Sequence, residues 1–370
     1  MQSDSGSSSR HTTHDKVCHS PKKGSDFGRP KPSTANEDNR GITVKQDLTP
    51  HGRVHQEPGK ELTPPGKGTG GDWVKELRAP FLTASIIPVL VGGAVAWAAL
   101  GELDWWFFLV TMLGVVLLHL GANVTNDYWD YMGGTDVINR FRTPFSGGST
   151  LLVERRLSPR KVLRLGQGLI VAGSLVGLYL VYALGEDGWV ILFLGMIGVG
   201  GGYFYSAPPL NLASKGWGEL AIGSLFGLLA VLGTYFIQTT TFTLEVVAAS
   251  IPVSLWIAAV IWINQIPDVE ADSATGKRTM VVRLGIERSI EVYSAIQMAA
   301  AAVIAGAVIL NLLPLTALVA IVAIVPAMGA IAVLRRSRGL YPDMVPAQGL
   351  TIITHLAGGL LLCAGIIVGA

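Results

Sequence analysis

The stretch that decides the fold is "WWFFLVTMLGVVLLHLGANVTNDYWDYMGGTD", Trp105 to Asp136. Its first part is apolar for long enough to cross a bilayer, which takes about 20 residues of helix. It then ends in an asparagine and three aspartates, Asn126, Asp127, Asp130 and Asp136. A membrane span that delivers carboxylates to its own end needs a reason for them.

The chain around it is membrane-like: of 370 residues half are hydrophobic, only 15% are charged, and the mean hydropathy is +0.46. An ordinary soluble domain of that length carries more charge. Nine spans are predicted, approximately 79–100, 105–126, 162–184, 189–206, 219–237, 244–266, 292–313, 315–334 and 347–368. The connections after spans two, four, six and eight carry 6, 1, 4 and 3 Lys/Arg, and those after spans one, three, five and seven carry none. The positive-inside rule then places the N-terminus and the even-numbered exits in the cytoplasm. Trp105 and Trp106 read as an interfacial belt. Glycine clusters such as "GMIGVGGGYF" (Gly195 to Phe204) read as close helix packing, because no strand precedes them and no Lys-Ser/Thr follows.

Residues 1–72 are a different polymer, rich in Ser, Gly, Pro and charge and without apolar periodicity, and are expected to be a disordered tail ahead of a membrane domain over 73–370. Five of the seven histidines lie in it, scattered as solvated spacers. His119 and His355 fall inside spans and read as hydrogen-bonded interhelical residues. Cys18 and Cys363 form no disulfide or metal pattern.

A second acidic cluster closes span six: "NQIPDVEAD", with Asn264, Asp268, Glu270 and Asp272. Spans two and six run in the same direction, so both clusters face the cytoplasm. Asn126 and Asp130 are i, i+4, as are Asn264, Asp268 and Asp272, so each set is predicted to form one helical stripe. Such a stripe repels itself, and more so at the negative end of the helix dipole, which favours bound cations. Oxygen donors without nearby Cys or His select a hard ion, and Mg²⁺ shares its shell between carboxylates and substrate phosphate. Basic residues follow each cluster, Arg140 and Arg142 after the first and Lys277 and Arg278 after the second, as a clamp on a departing diphosphate would need. The two clusters, four spans apart, also hint at two four-helix halves around a central cavity, with a ninth span added.

Taken with these features, "NDYWDYMGGTD", then "DVEAD" with "GKRT" and "VVRLG", and "YSAPPLNLASKGWGEL" (Tyr205 to Leu220) between spans four and five resemble the UbiA superfamily of intramembrane aromatic prenyltransferases. The resemblance runs from about Trp73 onward. It implies an all-α nine-helix bundle that binds a polyprenyl diphosphate through Mg²⁺ beside an aromatic acceptor, in a bacterial or archaeal cytoplasmic membrane. It further implies Asn126, Asp130, Asp268 and Asp272 as metal or diphosphate ligands with Asp127 close by, Arg142, Lys215, Lys277 and Arg278 on phosphate, and Tyr205 in the loop after span four. The five residues between Asp130 and Asp136, and "RTPFSGGSTLLVERRLSPRKV" after them, are most like the branch that prenylates 1,4-dihydroxy-2-naphthoate for menaquinone. Asp136 is then a further candidate ligand.

Other acceptors within the superfamily remain open: another quinone, porphyrin or lipid precursor. A cation-coupled transporter is a rival, though its acids would lie near the midplane in broken helices rather than at helix ends. A phosphatidyl-alcohol transferase would need a D-G-x2-A-R signature, which is absent. No nucleic-acid partner is expected. The sequence does not set the prenyl length or the oligomeric state.

Overall fold

The computed structural model describes residues 66–370, so the expected disordered tail lies, up to residue 65, outside the described residues. Among the described residues the protein is all helix, with one isolated bridge between Thr143 and Ser146. Among the described residues nine helices are long and apolar enough to cross a membrane: α1 Gly70–Leu100, α2 Trp105–Met132, α3 Pro159–Ala183, α4 Gly185–Phe204, α5 Gly218–Thr239, α6 Leu244–Gln265, α7 Ile286–Ile309, α8 Leu315–Ser337 and α9 Val345–Val368. Each predicted span corresponds to one of them.

The differences are at the ends. Helix begins at Gly70, not after residue 72, because Thr69 and Asp72 form a reciprocal capping box and Arg156 pairs with Asp72. A charged stretch thus becomes ordered by its cap together with the packing of Trp73 and Leu77 on Leu151, Leu152 and Leu157. α1 breaks at Leu77 and Arg78, just before Pro80, and Arg78 adopts a left-handed φ of 52°. α7 starts six residues before the predicted Val292, since "IERSIE" turns Ser289 and Ile290 inward. The first turns of α8, Leu315–Ala323, are wound as a 3₁₀ helix.

α2 packs along α3, and α6 along α7 four helices later, which is the pairing a duplicated bundle requires; α9 packs against α1, α6 and α8. Ile87, Val91, Val253, Trp256, Ile257, Ile304 and Leu362 are buried where α1, α6, α7 and α9 meet. Large apolar side chains cover the outside instead of polar ones, for example Leu109, Leu113, Leu175 and Phe193, and Trp105 and Trp106 are exposed at the start of α2. In lipid the backbone must be satisfied within each helix while the exterior stays apolar.

Without a hydrophobic drive between helices in lipid, contact depends on shape, and small residues let backbones approach. A Cβ on Gly121 of α2 would lie 2.6 Å from Ile170 and 2.9 Å from the Gly166 carbonyl, and one on Gly166 of α3 would lie 2.6 Å from Thr125. Gly166→Val is therefore expected to lower stability by about 1–3 kcal/mol, the usual range for overpacking. A thermal melt in detergent checks this, and an unchanged melting temperature would contradict the close approach of α2 and α3.

Candidate active site

α2 has 28 residues. At 1.5 Å per residue it is about 42 Å long, against a hydrocarbon core of about 30 Å. Its last two turns therefore carry Asn126 and Asp130 out of the core on unbroken helix, as the i, i+4 spacing predicted. α6 behaves differently. It stops at Gln265, a tight turn through Ile266 and Pro267 follows, and Asp268 caps the short helix Val269–Ala274, with the Asp272 amide 2.8 Å from the Asp268 carbonyl. Asn264, Asp268 and Asp272 do not form one continuous stripe, because Pro267 breaks the ladder.

Both sets nonetheless face one cavity of about 170 Å³, lined by Asn126, Asp130, Asp136, Tyr205, Asn264, Asp268, Asp272 and Lys277. The Lys277 ammonium lies 2.6 Å from Asp130 and 3.6 Å from Asp272, and so ties the first cluster to the second. Asn126 Nδ2 donates to Ser206 at 2.8 Å and to Asp130 at 3.3 Å. Asn139 Nδ2 donates to Asp268 at 2.7 Å, and Gln348 donates to Asn264 at 3.0 Å.

Charge is crowded here. Burial pushes the Asp268 carboxyl up to about 6, against the pull of the Asn139 hydrogen bond and Lys277. Burial pushes Asp272 up to about 7 even with Lys277 beside it. Asp136 is raised well above the ordinary range by burial and by Asp130 and Asp127. Burial alone would lower the Lys277 ammonium, but Asp130 and Asp272 outweigh it and hold it above its usual value. Burial, then the Glu219 and Asp130 carboxylates, raise the Tyr205 phenol. Four carboxylates face Lys277 and an Arg78 already paired with Asp127, which leaves the site short of positive charge.

Five expected site residues are placed elsewhere. Asp127 does not line the cavity: its carboxylate accepts from Arg78 at 2.9 Å and from the Ser149 amide at 2.9 Å, which ties the start of α1 to the 143–150 loop. Arg142 also lies outside the lining and donates to the Asp136 carbonyl, bracing that loop. Arg140 and Arg278 are exposed. Lys215 is exposed and donates to the Pro209 carbonyl at 3.0 Å. In exchange Arg78, His119, Asn123, Asn139, Gln265 and Phe226 line the cavity, none of which the motifs singled out.

Asp127 thus reads as a structural anchor. Asp127→Ala leaves the half-buried Arg78 without its ion-pair partner and the Ser149 amide without its acceptor, a loss of up to about 3 kcal/mol. A large drop in thermal stability checks this; loss of activity at unchanged stability would return Asp127 to the ligand set.

The donor set suits a hard divalent cation. Carboxylate and amide oxygens surround the cavity, and Gln265 Oε1 is buried there with no hydrogen-bond partner. Among the described residues no three acids, His or Cys converge as a ready-made cluster, since Lys277 stands between Asp130 and Asp272.

A second, apolar cleft of about 540 Å³ runs between α2, α3, α4 and α5, and it shares Ala122, Gly202 and Phe226 with the polar cavity. Phe226 sits in a π-helical stretch, Gly223–Leu229, where Gly227 lets α5 close on Ser254 of α6. Such bulges re-aim side chains and recur at functional sites. The glycine clusters need a partial correction. Gly198 and Gly201 pack against Leu229 and Leu225, but Cβ atoms on Gly177, Gly195 and Gly200 would meet nothing, so these three widen the cleft instead of closing a contact.

The profile of the UbiA prenyltransferase family matches residues 85–369. The 1,4-dihydroxy-2-naphthoate octaprenyltransferase of Mycobacterium tuberculosis is 33% identical over 222 residues, 60% of this chain and 72% of its own. The Bacillus subtilis protein of that name is 29% identical over 238 residues, 64% and 74%. Among solved structures, a UbiA homolog from Aeropyrum pernix K1 superposes with a TM-score of 0.58 at 20% identity, over 77% of this chain and 97% of that one. Another, from Archaeoglobus fulgidus bound to DMAPP and Mg²⁺, gives 0.52 at 16% identity, over 78% and 98%; at such identities the likeness is one of fold. A profile match over most of the chain, on a nine-helix bundle with two acidic helix ends facing one cavity, makes this protein a member of the UbiA prenyltransferase family and an integral membrane prenyltransferase.

Proposed function

We propose that the protein transfers a polyprenyl group from its diphosphate to 1,4-dihydroxy-2-naphthoate, with Mg²⁺, at the cytoplasmic end of the bundle, and that the domain doing so spans residues 73–370. The observation that carries this is the junction of two cavities. A polar pocket with four carboxylates and a lysine opens at Ala122, Gly202 and Phe226 into an apolar cleft. A long hydrocarbon with a diphosphate head is a ligand with that division of polarity. The naphthoate acceptor is supported by what the Mycobacterium and Bacillus relatives are named for.

Asp130, Asp136, Asp268 and Asp272, with Asn126 and Asn264, would hold Mg²⁺ and the head group. The bound ion would supply positive charge to the departing diphosphate. Lys277 lies between the two acidic sets and would donate to the diphosphate once a bound cation relieves its carboxylate partners. Tyr205, whose phenol stays protonated, is a donor at the edge of the site. The cleft keeps the tail in an apolar, water-poor channel, so that an allylic cation formed at the junction meets the acceptor ring before it meets water. The cytoplasmic orientation follows from the basic loops, which flank the same end of α2 and α6 as the acids.

A mass-spectrometric assay tests the acceptor. The purified protein is offered Mg²⁺, a polyprenyl diphosphate and, separately, 1,4-dihydroxy-2-naphthoate and 4-hydroxybenzoate. Prenylated, decarboxylated naphthoquinol is the expected product. Prenylation of hydroxybenzoate alone would contradict the acceptor assignment and leave the prenyl transfer standing.

A further inference from the structure

His119 lies on α2 seven residues before Asn126 and faces the same cavity. Seven residues are two turns, about 10 Å deeper into the membrane than the acids. Its Nδ1 is hydrogen-bonded to Ser85 Oγ of α1 at 2.5 Å, and its ring packs on Phe226, centroid to centroid 4.7 Å. Nε2 has no protein partner among the described residues, yet it is not one of the sealed, unsatisfied atoms. Phe81, Ala84 and Asn123 line the same cavity. His355, the other intramembrane histidine, is different: its Nε2 meets the Thr83 carbonyl at 3.2 Å and its Nδ1 is sealed, and it lines neither cavity.

On the proposed function above, we infer that His119, in the tautomer whose Nδ1–H donates to Ser85 Oγ and leaves the Nε2 lone pair free, is a catalytic residue that takes the hydroxyl proton of the aromatic acceptor through Nε2, with Ser85 as the residue that orients its ring. The site's layout supplies the reason. The diphosphate lies at the acids and the tail leaves at Ala122, Gly202 and Phe226, so the allylic carbon sits between them. The acceptor must approach that carbon away from the diphosphate, where the Phe81 and Phe226 rings and His119 form the wall.

The step balances. The acceptor O–H proton passes to Nε2 and its electron pair moves into the ring. The C–O pair leaves with the diphosphate, and the ring carbon bonds to the allylic cation so formed. The substituted ring carbon loses CO₂, or on an acceptor without a carboxylate gives its proton to the released diphosphate, its pair restores the aromatic ring, and the imidazolium returns the proton to the oxygen.

The test uses the full chain in lipid nanodiscs with Mg²⁺, geranyl diphosphate and 1,4-dihydroxy-2-naphthoate. For His119→Ala the expected result is a loss in kcat of about 10²- to 10⁴-fold, as for removal of a general base. KM for geranyl diphosphate should stay unchanged, and added imidazole should restore part of the rate. A kcat within threefold of wild type overturns the proposal. So does a loss that imidazole does not relieve and that comes with an equally raised KM for geranyl diphosphate, the signature of a packing residue. Should His119→Ala not fold, Ser85→Ala keeps the ring: a kcat several-fold lower supports the role and an unchanged kcat overturns it. If wild type does not prenylate dihydroxynaphthoate, the acceptor assignment has failed, and the same variants are then read on whichever phenolic acceptor wild type uses.

Discussion

Asp130→Ala and Asp268→Ala are each expected to cripple prenyl transfer, with kcat down by about 10²- to 10³-fold, and Asp268→Ala is expected to leave the protein as stable as wild type or more so. The kinetic part follows from what the site must do. Electrostatic stabilisation of a leaving group is commonly the largest catalytic contribution, at about 3–4 kcal/mol per lost partner. Losing one carboxylate removes both a ligand and the group that orders its neighbours. The stability part follows from the direction of the shift at Asp268, whose carboxyl burial raises to about 6. A carboxyl raised in the folded state is ionised at pH 7 at a cost the unfolded chain does not bear, so its removal relieves the fold. Activity lost at unchanged or higher melting temperature is the outcome expected of a site that stores unfavourable charge for function. Kinetics and a thermal melt on each purified variant check it, and near-wild-type turnover in either would remove the two-cluster account.

Gly200→Phe and Gly195→Phe are expected to separate substrates by length. Both glycines line the apolar cleft, and a Cβ on either meets nothing within 4 Å. A side chain therefore starts without a backbone clash at either position and is expected to take up volume in the cleft. Each displaced isoprene unit gives up several buried CH₂ equivalents at about 0.8 kcal/mol each. Activity with an octaprenyl diphosphate should fall by at least about 10²-fold in kcat/KM, whereas dimethylallyl diphosphate, which ends before the cleft, should react as with wild type. Competition between the two donors measures this directly. Equal loss on both would show that the tail runs elsewhere.

The nine spans were legible because each is a run of apolar residues long enough to cross a bilayer, and that signal does not depend on how the helices pack. The first acidic stripe was legible for a similar reason: α2 continues without interruption through Asn126 and Asp130. The second was only half legible. Asn264, Asp268 and Asp272 do line one cavity, but Pro267 in "NQIPD" splits them between α6 and the helix after it, and the cavity reunites what the periodicity does not.

The basic residues were the weakest part. Position along the chain shows that Arg140, Arg142, Lys215, Lys277 and Arg278 lie near the motifs, but not where each side chain points, and only Lys277 reaches the cavity. Asp127 followed the same pattern in reverse. One position from Asn126 is about 100° around the helix, which turns it toward Arg78. Asn139, His119 and Phe226 enter the site through a loop, a buried hydrogen bond and a π-bulge, and each depends on tertiary contacts that no local pattern encodes.

The central claim is that two acidic helix ends gather Mg²⁺ around a prenyl diphosphate. Its most direct measurement is pyrophosphate release by the purified protein in nanodiscs, with geranyl diphosphate and 1,4-dihydroxy-2-naphthoate, before and after chelation. The account predicts release stoichiometric with prenylated product in Mg²⁺, none in EDTA, and recovery when Mg²⁺ is restored. Turnover that persists undiminished in EDTA would contradict it.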